Sequence, residues 1–133
     1  MIELTYDSAL EGLNNLVALH GEDFIYQRHT GAATECAYVH EGNPDCIVGR
    51  YLHSVGVPIE QLAEFDELRN SSAGEVLDIL IQQGAITSDE KAHALLRFLQ
   101  SYQDCGEPWG RALRLAVELV GDRFPAKLLG DQL

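Results

Sequence analysis

Two of the chain's three cysteines and two of its five histidines fall between Cys36 and Gly56, in the stretch CAYVHEGNPDCIVGRYLHSVG. Thiol and imidazole side chains commonly act as nucleophile, base or zinc ligand, so any chemistry is expected here. The stretch reads as a short strand ending at His40, followed by a helix capped by Asn43, with Pro44 at its first position and Cys46 at its third. There the exposed N–H groups and the helix dipole would favour a thiolate. Cys36 and His40 share a strand face with Tyr38. If that strand runs beside the helix start, Cys36, His40 and Cys46 converge, with His29 as a conceivable fourth ligand.

The pattern nevertheless completes no signature. The spacing C-x3-H-x5-C lacks the paired C-x2-C or H-x3-H steps that fix a tetrahedral zinc site. Asp45-Cys46-Ile47-Val48 followed by Gly56-Val57-Pro58 superficially resembles the nucleophile helix of NlpC/P60 cysteine peptidases. Those enzymes usually carry Ser-Gly after the cysteine and take their base from a downstream strand, whereas the downstream histidines here, His53 and His93, lie in helical segments. Asp45 would also raise the neighbouring thiol's pKa. Phosphate loops, nucleophile elbows, H-E-x-x-H and EF-hand patterns are all missing, and no acidic pair is marked for acid–base work. The plainer reading makes Cys36 and Cys46 small buried hydrophobes, and nothing in the chain calls for a cofactor.

The elements that must position these residues are mostly helical. Ser8 with Glu11, Ser72 with Glu75, and Thr87 with Glu90 read as capping boxes that open helices. The first would run from Ala9 to Leu19 and stop at Gly21. Phe24–Arg28 and Cys36–His40 read as the two strands of a hairpin around Gly31. The Pro44 helix buries Ile47, Val48, Tyr51, Leu52 and Val55. A short helix with an acidic outer face (Glu60, Glu64, Asp66, Glu67) follows Pro58. Further helices cover 73–83 and 89–104, the latter with the clearest 3.6-residue pattern, and a last one begins at Pro108. Trp109 at its start is expected to be a buried anchor; if exposed, it is the candidate interface residue. Phe124, Leu128 and Leu129 could dock the tail. The fold class expected is α+β and mainly helical, about six short helices with one small antiparallel hairpin. It forms one domain over residues 1–133, with a joint near 69–74 between an α/β half and a helical half.

A chain of 133 residues with 46% hydrophobic and 23% charged residues is globular in composition and long enough to bury a core without metal or disulfide. No apolar run approaches the roughly 20 residues of a membrane span, and the start lacks a signal-peptide pattern. Both point to a cytoplasmic protein with reduced thiols and no membrane partner. The net charge of −12, from 21 acidic and 9 basic residues, opposes direct nucleic-acid binding. It is uneven: residues 1–90 hold 16 acidic and 3 basic residues, residues 91–133 hold 5 and 6.

Cys36-Ala37-Tyr38-Val39, Pro44-Asp45-Cys46-Ile47-Val48-Gly49, Leu52-His53-Ser54-Val55-Gly56-Val57-Pro58 and the stretch from Asp104 to Leu113 together resemble a family of small proteins of actinobacteria and their phages. The family pattern runs C-x-Y-V, P-x-C-[IL]-[VI]-G, L-H-x-x-G-V-P and a late W-G-x-A-L, and Cys105 takes a place often held by aspartate. The resemblance implies a phage or actinobacterial origin and brings no activity with it. The leading expectation is a non-enzymatic accessory protein that binds another protein, a host factor or itself. The alternatives are a thiol- or metal-dependent enzyme centred on Cys36, His40 and Cys46, and an acidic DNA mimic, although the acidic residues are dispersed rather than set in dense helical rows.

Overall fold

Three residues at the start of the chain, Ile2–Leu4, form a strand (β1), and Thr5 rather than Ser8 caps the helix that follows, Tyr6–His20 (α1). The Thr5 hydroxyl accepts from the Ser8 N–H, and the Ser8 hydroxyl reaches back to the Thr5 N–H, so the box sits three residues upstream of the Ser8–Glu11 pattern. The computed structural model describes residues 1–27, 37–67 and 72–125. The remaining elements within them are Val39–His40 (β2), Asn43–Pro44 (β3), Ile47–Ser54 (α2), Ile59–Glu67 (α3), Ala73–Gln82 (α4), Ile86–Ser88 (β4), Glu90–Asp104 (α5) and Trp109–Arg123 (α6). The mainly helical α+β architecture, with six helices and a small antiparallel pair, is as expected. No helix among the described residues is long and apolar enough to cross a membrane.

The hairpin is not where the strand signals placed it. Residues 24–27 are not a strand, and Val39–His40 pairs with Asn43–Pro44 across the two-residue turn Glu41-Gly42. Both turn residues have positive φ, 52° and 79°, which lets a tight turn match the strands' twist. Asn43 and Pro44 are therefore strand residues, and Cys46 takes over as the N-cap of α2. The other half of the expected hairpin, 28–36, lies outside the described residues, as do Leu128 and Leu129.

A second, parallel ladder went unread in the sequence. β1 lies beside β4 with Ile2 opposite Ile86 and Leu4 opposite Ser88. Thr87 is consequently a strand residue, and Asp89 caps α5 in its place. The Asp89 carboxylate accepts from the Ala92 N–H at 2.7 Å and from the Tyr6 N–H at 3.1 Å, so one side chain serves the starts of both α5 and α1. The Ser72 cap of α4 stands as the sequence reads it, with Ser72 accepting from the Glu75 N–H and Glu75 facing its hydroxyl.

α5 packs against α1, α2, α4 and α6. Its buried Ala92, Leu95, Leu96 and Leu99 join Leu13 and Val17 of α1, Val48 and Leu52 of α2, Leu77 and Leu80 of α4, and Ala112 and Ala116 of α6. The cluster thus draws on both sides of the 69–74 joint.

Candidate functional site

Cys46 sits at the start of α2, where unpaired N–H groups are expected, yet two of those donors, of Ile47 and Gly49, are already engaged. Its own sulfur accepts from the Gly49 N–H at 3.5 Å, and the amide nitrogen of Gln100 on α5 lies 3.7 Å from the same atom. The Ile47 N–H donates to Oε1 of Gln103 at 2.9 Å, and the Trp109 indole N–H donates to the same oxygen at 3.2 Å. Cys46 has no exposed surface. Its thiol is a buried cap between α2 and α5, not an accessible nucleophile.

His40 lies elsewhere. Its side chain is 42% exposed on the hairpin, with Nε2 3.8 Å from a carboxylate oxygen of Glu41. Cys36 and His29 fall outside the described residues. Among the described residues no three His, Cys, Asp or Glu side chains gather in a way that could hold a metal ion. His53 stays near the end of its helix with Nδ1 3.2 Å from the Val57 carbonyl oxygen. His93 accepts at Nδ1 from the Arg97 Nε–H at 3.0 Å, and its Nε2 lies 2.8 Å from an Asp78 carboxylate oxygen.

Trp109 is fully buried, so the folded surface does not offer it to a partner. Its backbone N–H donates to the Phe24 carbonyl at 2.8 Å, and the next N–H, of Gly110, donates to the Glu22 carbonyl at 2.9 Å. These bonds satisfy the first two N–H groups of α6, which has no side-chain cap.

The ionisable groups the sequence reading passed over are the ones that tie the hairpin down. The Tyr26 hydroxyl donates to Asp45 at 2.6 Å and accepts from the Ala37 N–H at 3.0 Å. Burial first, and the bond to Asp45 second, push its pKa far above the usual phenol value, so it stays neutral. Asp66 on α3 accepts from the N–H groups of Tyr38 at 2.8 Å and Val39 at 2.9 Å. Its pKa is raised, chiefly by burial with the Asp45 charge adding to it, against the downward pull of those two N–H groups. Arg50 donates through Nε to the Asp45 carbonyl at 2.6 Å. Each of these groups spends its hydrogen bonds on the fold. One signal for Gln103 was available: with Gln100 it occupies the apolar face of α5, where a polar residue needs a partner.

Charge is the property that remains free at the surface. Glu60, Glu64 and Glu67 are exposed on α3 at i, i+4 and i+7, and no cation among the described residues lies within ion-pairing distance of them. Cations at the α6 end are matched instead, Arg111 with Glu107 at 2.8 Å and Arg114 with Glu22 at 3.9 Å. Two surface clefts, of about 320 and 250 Å³, are both bordered by Arg97, and neither is lined by Cys46, His40 or Trp109. Comparison with models of protein families, with curated proteins and with solved structures yields no match to this chain.

Proposed function

We propose that this chain is a non-enzymatic accessory protein that acts in the cytoplasm by binding another protein through the acidic face of α3. The reading includes an actinobacterial or phage origin, on the sequence resemblance alone. The observation that carries it is the row Glu60, Glu64 and Glu67, three exposed carboxylates with no counter-charge among the described residues, on a chain of net charge −12. Such a row steers a basic partner by long-range attraction and sets the orientation in which it docks. The overall negative charge favours a basic protein over a second copy, which would be repelled. A single row over two turns is short for mimicry of DNA, and the enclosed sulfur of Cys46 disfavours a thiol enzyme.

The test is affinity capture from a bacterial host lysate with the wild-type chain and with Glu60→Lys/Glu64→Lys/Glu67→Lys, at low and at high salt, together with a size-exclusion mass measurement. A defined basic protein held by the wild type, lost in the triple variant and weakened by salt is the expected result. Equal retention by both chains, or no retained protein beside a strictly monomeric species, would reject the reading.

A further inference from the structure

Asp78, His93 and Arg97 form a chain of side chains between α4 and α5, and its middle member changes charge near neutral pH. Nδ1 of His93 accepts from the Arg97 Nε–H at 3.0 Å, while Nε2 lies 2.8 Å from a carboxylate oxygen of Asp78. An imidazole nitrogen accepts only while it carries no proton, so the Arg97 bond exists only when Nδ1 is bare. Among the described residues no carboxylate lies within ion-pairing distance of Arg97. Its guanidinium stands 5.3 Å from the centre of the Phe98 ring, which Arg123 also approaches at 5.9 Å. The Arg97 stem lies across the start of α4, and the bare Gly74 makes room for it: a Cβ there would stand 2.8 Å from the Arg97 Cδ. Arg97 borders both surface clefts, so its position decides which donors they present.

We infer that His93 is a proton-operated holder of Arg97: the neutral ring ties Arg97 to the boundary of α4 and α5, and the protonated ring keeps Asp78 and releases Arg97 toward the two clefts. The direction follows from the bonding. A proton on Nδ1 removes the lone pair that receives the Arg97 Nε–H and sets two cations side by side. The same proton turns the contact at Nε2 into an ion pair with Asp78, so the ring stays and the arginine yields. The other charged groups on this side leave that outcome unchanged. At the start of α5, Asp89 spends its carboxylate on the Tyr6 and Ala92 N–H groups, and Glu90 is exposed beside it. On α4, Glu75 faces the Ser72 hydroxyl, and on α6, Arg123 adds a further cation over Phe98. Asp104, at the far end of α5, accepts from Gln103. Release therefore adds a positive charge and frees an N–H donor where the two clefts meet at Arg97. This inference is independent of the α3 reading.

Nitrogen resonances of the His93 ring and of Arg97 Nε, read through their carbon-bound protons, report both halves of the device in the intact chain. As pH falls from about 8 to 5, the range in which an imidazole takes up its proton, the Arg97 Nε signal should move to the position of a solvated guanidinium. It should do so with the same midpoint as the His93 ring, while the proton on Nε2 stays protected from exchange. His93→Gln supplies an acceptor that does not titrate, and in that variant the Arg97 signal should lose its pH dependence. Three results would overturn the device: an Arg97 signal that stays put while the ring takes up its proton, a ring that carries its proton on Nδ1 at pH 8, or an Arg97 transition that survives in His93→Gln. The first two are read in the wild type and decide the matter even if the variant does not fold.

Discussion

Asp89 and Gln103 perform the same task in two settings. Each offers side-chain oxygen to two N–H donors far apart in sequence, Asp89 to Tyr6 and Ala92, Gln103 to Ile47 and the Trp109 indole. Asp89 is exposed, beside a parallel backbone ladder that would hold β1 and β4 without it. Gln103 is buried, and no ladder supports the meeting of α2, α5 and α6. Water can replace the first carboxylate but not the second amide. The cost of losing each should therefore follow burial rather than bond count.

Substituting Gln103 by Leu is expected to destabilise most, by about 3–4 kcal/mol in a denaturant titration, since two enclosed donors lose their acceptor. A cost near that of a surface residue would break the comparison. Gly49→Ala comes next, because the added Cβ would lie 2.5 Å from the Tyr38 carbonyl oxygen. About 2–3 kcal/mol of overpacking should exceed the helix preference for alanine. At the exposed corner, Asp89→Ala should cost about 1–2 kcal/mol as a lost helix cap, read by the same titration. If it matched Gln103→Leu, the ladder would not be the support described.

Asp66 gives a smaller, pH-dependent effect. Its folded pKa is raised, so the folded chain holds this proton more tightly than the unfolded one. Its contribution to stability is accordingly greatest below the unfolded value and is lost as pH rises through the folded one. The stability difference between wild type and Asp66→Asn should therefore grow in the wild type's favour as pH falls from about 7 into the carboxylate range near 4. A constant difference would deny the shift. Smallest of all, Gly121→Ala in α6 meets nothing within 4 Å and should stabilise by about 0.5 kcal/mol, a control for the clash at Gly49.

The helices were legible because their apolar spacing repeats over several turns, as from Ala92 to Leu99. The starts were harder. Ser72 caps α4 as its own sequence dictates, while Ser8 and Thr87 lose the capping position to Thr5 and Asp89. That choice is made by the β1–β4 pairing, whose three-residue strands are too short to show alternation. Asn43-Pro44 carries the chemistry of a helix start, but the turn at Glu41-Gly42 recruits it into a strand; glutamate at a positive φ is a weak turn signal. Of the chemical candidates, the sequence allowed Cys46 to be either a reactive group or filler, and only the packing of Gln100 and Gly49 around it decides. Gln103, Asp66 and Tyr26 act through partners in other parts of the chain, which local patterns do not reveal.

The pairing of Ile2 with Ile86 also has a consequence for synthesis on the ribosome. β1 has no neighbour until the chain has grown past Ile86 and Asp89, a delay on the order of 5–15 s at ordinary translation speeds. Through that interval Tyr6 lacks the carboxylate that receives its N–H, so the start of α1 is completed only once the segment carrying Asp89 has been made.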